Sequence, residues 1–98
     1  MKIYEIYQIK EDAPNRRSLL FSNLDLVKSM ELEVKLENYE KVYQGVTFND
    51  FTAEDIYMKF NLNRPDDFKG HSLSVSDIVK IDGKYFYCDS FGFKEIEL

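Results

Sequence analysis

Ninety-eight residues, 44% hydrophobic and 15% aromatic with eight Phe and seven Tyr, are enough for one folded core and too few for two, which argues against a disordered chain. The balance of 13 Lys+Arg against 18 Asp+Glu, net −5, argues against a protein that binds nucleic acid by neutralising a phosphate backbone. A single cysteine excludes an intramolecular disulfide and a cysteine-cluster zinc site. No apolar run approaches the roughly 18 to 20 residues of a membrane span, so membrane insertion is excluded and the cytoplasm is the expected compartment.

In chain order, Lys2 to Ile9 (KIYEIYQI) is β-branched and aromatic, with Ile3, Tyr7 and Ile9 on one face and Tyr4 and Ile6 on the other, as in an inner strand. The first residues alternate with charges where a signal peptide would be apolar. Lys10 to Arg17, containing Pro14-Asn15, reads as a loop. Ser22-Asn23-Leu24-Asp25 matches a Ser-x-x-acid helix start, and Leu24, Val27 and Met30 predict a short helix at about 23–30. Leu32, Val34 and Leu36 alternate with charges, which gives a short edge-like strand or an extended segment. Tyr39 to Thr47 (YEKVYQGVT) is a second β-rich run in which Gly45 marks either a bulge or a strand end. A second helix, about 53–61, has Thr52 as N-cap, Glu54 and Asp55 in its first turn, and Phe51 placed to staple onto Ile56. Its buried face is Ile56, Tyr57 and Phe60, and Arg64-Pro65 ends it by about Leu62.

The third of the chain from Arg64 to Phe93 holds one of the two prolines, three of the four glycines, the lone histidine and the lone cysteine. Pro65 to Phe68 reads as a turn closed by Gly70. The strongest local signal is Asp82-Gly83 between two β-rich runs, which predicts a hairpin over Asp77–Asp89. That loop pairs Ile81 with Lys84, Val79 with Phe86 and Asp77 with Cys88, and it separates Asp77 from Asp89. Ser90-Phe91-Gly92 breaks the chain before a last strand, Phe93 to Leu98, with Ile96 and Leu98 pointing one way. The expected fold is one α+β domain over residues 1–98, a mostly antiparallel sheet with two short helices.

NYEKVYQG, DIYMKFN, RPDDFKGHSLSVSDIV and YFYCDSFGF, together with the opening MKIYEIYQI, resemble the YodL-like domain family of bacterial proteins over nearly the whole chain. Members are small proteins or modules of larger ones, often carried on mobile elements. The resemblance implies a bacterial cytoplasmic interaction module rather than a catalyst and transfers no catalytic residue, and the sequence itself carries no recognisable cofactor motif, so no cofactor is expected.

His71, Ser72, Ser74, Ser76, Asp77, Cys88 and Asp89 include every residue type a nucleophilic triad needs. However, a strand running straight back from the hairpin would leave His71 roughly 20 Å from Cys88. Cys88 then reads as a buried structural thiol beside Phe86. Asp66, Asp67, His71 and Asp77 match neither an EF-hand loop nor a His-x-x-x-His pair, so no metal site is assigned. Ser72, Ser74 and Ser76 read as the solvent side of an alternating strand, and Phe91 and Phe93 read as core or as an exposed aromatic anchor. Arg16-Arg17 in a loop reads as solvated, and the acidic row Glu31, Glu33, Glu37 and Glu40 as a protected edge.

The functional expectation is a non-enzymatic protein-binding module that engages a host or co-encoded protein. The face expected to do so is built from His71, Ser72, Ser74, Ser76, Asp77, Phe91 and Phe93. Two alternatives stand beside it: inhibition of a host defence nuclease through the acidic surface, and weak hydrolytic or metal-dependent chemistry at His71, which requires a concave pocket there.

Overall fold

The computed structural model describes residues 1–68 and 70–98. In chain order the elements are β1 (Lys2–Ile9), α1 (Arg16–Leu19), α2 (Leu24–Ser29), a 3-10 turn (Leu36–Asn38), β2 (Tyr39–Thr47), α3 (Ala53–Leu62), β3 (Ile78–Ile81), β4 (Lys84–Asp89) and β5 (Gly92–Ile96). The strands make one antiparallel sheet in the order β2-β1-β3-β4-β5, so the fold is α+β as expected and β1 is an inner strand. Among the described residues no helix is long and apolar enough to cross a membrane.

Each face of the sheet has its own apolar layer, which explains why β1 carries apolar residues on both sides. Tyr4 and Ile6 of β1 with Val79 and Ile81 of β3 pack under Ile56 and Phe60 of α3, joined by Phe68 and Leu73. On the opposite face Ile9, Tyr39, Ile78 and Tyr87 pack under Leu19 of α1 and Val27 of α2. The segment with Leu32, Val34 and Leu36 lies against this second layer without joining the sheet, so it is the extended segment and not a strand.

α3 begins as its sequence dictates. Thr52 Oγ1 accepts from the Asp55 N–H at 3.3 Å and Asp55 Oδ2 accepts from the Thr52 N–H at 2.9 Å, a reciprocal capping box, with Phe51 packed on the layer that contains Ile56. Tyr57, expected on the buried face, is only half-buried; Ala53, Ile56 and Phe60 form that face. The cap of α2 differs from expectation. Asn23, not Ser22, is the N-cap, accepting from the Leu26 N–H at 2.8 Å, while Ser22 donates back to the Ser18 carbonyl at 2.6 Å. Asn is as good an N-cap as Ser, and the acid three residues after Ser22 misled the assignment by one position. The loop expected to run to Arg17 closes early, because Arg16 and Arg17 already belong to α1.

The hairpin forms in the expected register, Ile81 with Lys84 and Val79 with Phe86. Asp82 and Gly83 both take positive φ, 56° and 76°, the backbone a two-residue type I′ turn requires. Gly45 is not a bulge: the register shift lies between Ile6 and Tyr7, where Val42 is the extra residue of β2. Gly45 is instead the floor under Tyr4. A Cβ there would lie 2.6 to 2.9 Å from the Tyr4 ring atoms, and Tyr4 is itself buried beneath α3 with no room to retreat. Gly45→Ala is therefore expected to destabilise by about 1–3 kcal/mol. A urea midpoint unchanged from the wild type would contradict this packing.

Candidate functional site

Residues 70–75 form a loop, not an alternating strand, and the loop folds His71 back toward the start of β3. The straight-strand expectation therefore fails, and His71 Nε2 lies 4.0 Å from Asp77 Oδ1. Ser76 and Asp77, expected on an exposed face, are wholly buried, both at 0%. Ser76 ties three elements together. Its N–H donates to the Cys88 carbonyl at 2.9 Å, its Oγ accepts from the Phe21 N–H at 3.1 Å, and its carbonyl accepts from the Tyr39 hydroxyl at 2.6 Å. It does so at φ 88°, in the left-handed region. Because the Cys88 N–H bonds on to the Asp77 carbonyl at 2.8 Å, Ser76 and Asp77 together face the single residue Cys88, so the hairpin begins at a bulge.

Asp77 Oδ2 accepts from the Ser74 N–H at 3.0 Å and from Gln8 Nε2 at 3.1 Å, whereas Oδ1 has no hydrogen-bond partner. Burial pushes the Asp77 carboxyl up to about 7, opposed by the Ser74 N–H, His71 and Gln8. The Gln8 amide spends its two hydrogens on Asp77 Oδ2 and on the His71 carbonyl at 2.8 Å. It therefore has none left for His71 Nδ1, 3.3 Å away. Nδ1–H is assigned as donor to the Ser72 carbonyl at 2.8 Å, which turns Nε2 toward Asp77 Oδ1. Gln8 was missed in the sequence, although a signal existed: it follows Tyr4 and Ile6 at a spacing of two, a polar residue on an otherwise apolar strand face. Gly70 makes room for it, since a Cβ there would strike Gln8 Oε1 and the Phe68 ring.

His71 also lines a cleft of about 480 Å³ with Gln8, Arg16, Glu40, Lys41 and Gly70. The concave pocket that chemistry at His71 requires is therefore present; Nδ1 is hydrogen-bonded to the Ser72 carbonyl, and Nε2 lies 4.0 Å from Asp77 Oδ1, beyond hydrogen-bond distance. Arg16 reaches this cleft and Arg17 is exposed; Glu11 and Glu40 line the same cleft and offset the cationic charge. Among the described residues no three His, Cys, Asp or Glu side chains are grouped to hold a metal ion.

Phe91 and Phe93 part company. Phe91, at the two-residue connection between β4 and β5, is 97% exposed, so the core reading fails for it. Phe93 is half-buried against Tyr57 of α3, ring centroids 6.0 Å apart. It lines a groove of about 330 Å³ between α3 and the β4–β5 pair, along with Met58, Val75 and Cys88. Cys88 is a buried thiol, and burial first, then the carboxylates of Asp77, Asp89 and Glu54, push it up to about 12, far from a reactive thiolate. Asp89 is separate from Asp77: its Oδ1 accepts from the Leu24 N–H at 3.1 Å and its Oδ2 meets Lys94 at 3.2 Å. The cleft of His71 and the groove of Phe93 share no lining residue, so the single face expected from the sequence is two separate surfaces.

Comparison with known proteins gives a match to the YodL-like domain model over residues 3–98. An uncharacterised protein of Acanthamoeba polyphaga mimivirus is 34% identical over 93 residues, covering 92% of this chain and 86% of the viral one. No solved structure matches.

Proposed function

The chain belongs to the YodL-like domain family, and from that premise and the shape of the β4–β5 end we propose that it is a non-enzymatic protein-binding module engaging a host or co-encoded protein. The observation that carries this reading is Phe91. A two-residue strand connection favours Gly, Asn, Asp and Ser, and a large aromatic ring there, 97% exposed, contributes nothing to the core. Such a ring beside an apolar groove is what a partner-binding anchor consists of. The net charge of −5 supports a narrower version in which the partner is a basic protein such as a host defence nuclease.

The test is affinity capture from a bacterial lysate, with immobilised wild type and Phe91→Ala side by side. Removing so exposed a ring is expected to shift stability by no more than about 0.5 kcal/mol. The expected result is one or more proteins recovered by the wild type and lost by the variant. Identical recoveries would overturn the reading.

A further inference from the structure

The groove beside Phe93 has a shape and charge that define a partner more closely, and this step rests on the binding-module reading above. β5 ends the sheet: among the described residues it pairs with β4 on one side and with no strand on the other. An unpaired strand edge presents a row of free N–H and C=O groups, a template for one more strand. α3 runs alongside with Tyr57 and Met58 facing Val75 and Phe93 across the groove, and Met58 is itself 56% exposed. The groove meets β5 at Gly92 and Phe93, its other walls being Val75, the end of β4 and α3, so a peptide bound by strand addition to the β5 edge reaches it at that end. The charges lining the groove are Glu54 and Asp89, with no basic residue among those described. Asp89 is occupied by Lys94 and the Leu24 N–H, which leaves Glu54 to meet a partner charge. β5 adds the exposed Glu95 on the same side of the sheet as Phe93.

We infer that this groove receives an extended, basic segment of a partner chain, laid along the free edge of β5 as a sixth strand, with an apolar side chain between Met58 and Phe93 and a lysine or arginine at Glu54. The other open edge is less suited. β2 carries the Val42 bulge, which breaks its ladder, and its cleft is lined by charges of both signs.

Two short fluorescent peptides test this on the full chain: one alternating Lys and Val, the other alternating Glu and Val. They are titrated by anisotropy, with amide hydrogen exchange followed in parallel. The Lys/Val peptide is expected to bind at least about ten-fold more tightly than the Glu/Val peptide, and Glu54→Lys to remove most of that preference. Amides within Gly92–Ile96 are expected to exchange more slowly in the complex. Equal binding of the two peptides, an unchanged preference in Glu54→Lys, protection of β2 in place of β5, or occupation of the β5 edge by a second copy of the chain on sedimentation would each overturn the assignment. Phe91-dependent capture without Lys/Val binding would refute the groove assignment alone, and Lys/Val binding without Phe91-dependent capture would refute the Phe91 reading alone.

Discussion

Replacing Asp77 with asparagine is expected to make the protein more stable than the wild type at pH 8 and to give it no such advantage at pH 4. The sign follows from the raised folded-state value of the carboxyl, about 7 against an ordinary 3.8. Below pH 4 the group is protonated in both folded and unfolded chains, and its contribution is fully present. As pH rises from about 4 to about 7 the unfolded chain ionises while the folded one holds its proton, so stability is lost across that window and stays lost above it. The asparagine side chain would keep the geometry: its carbonyl takes the place of Oδ2 under Gln8 and Ser74, and its uncharged amide nitrogen takes the place of the unpartnered Oδ1. The wild-type-minus-variant difference in unfolding free energy is expected to change by on the order of 3 kcal/mol between pH 4 and pH 8. Comparison with the variant cancels the opposite trend from Glu5 and Asp89, whose values lie below the ordinary carboxylate range. Urea unfolding at several pH values measures it, and a pH-independent difference would show that the Asp77 carboxyl is not raised in the folded protein.

Phe60→Ala is expected to cost about 3–5 kcal/mol, a large part of the stability of a domain this size. Phe60 is 1% exposed and touches three aromatic partners edge-on: Phe68 at 5.0 Å, Tyr43 at 5.1 Å and Tyr4 at 6.0 Å between ring centroids. Removing it opens a void between α3 and the sheet and leaves three rings without their central partner. Met58→Ala, two residues earlier on the opposite, exposed side of α3, is expected to cost less than about 0.5 kcal/mol. Equal losses in the two variants would show that α3 presents a different face to the sheet.

The same contrast between local and long-range determinants explains what the sequence revealed. The Asp82-Gly83 hairpin, the Thr52 cap and the strands Lys2–Ile9 and Tyr39–Thr47 were legible because each depends on neighbours within a few residues. The candidate face was not. The burial of Asp77 depends on Gln8, 69 positions earlier in the chain, and that of Ser76 on Phe21 and Tyr39. Alternation predicted Ser76 outward because it assumed a strand, and its positive φ breaks the alternation at the residue where it mattered. Phe91 failed for the converse reason: apolarity alone put it in the core, whereas its place in a two-residue connection holds it out in solvent. The groove at β5 has no sequence signature, since it arises where a helix and an edge strand from opposite sides of residues 63–77 come together.

The strand order also sets a schedule for folding. β3, β4 and β5 form a meander whose pairings span a few residues each, so this unit can assemble on its own as soon as it is available. β1 and β2 can pair once residue 47 has been made, but Tyr7 must wait for Ile78 before the sheet becomes continuous. Closing a loop of about seventy residues is slow compared with hairpin formation. During synthesis β1 therefore stands with one edge open until the last third of the chain emerges, and the backbone from Tyr4 to Tyr7 lacks its β3 partners for that interval. Partial products that end before β3 are the species most prone to aggregate, and a chaperone that holds nascent chains would act on them there.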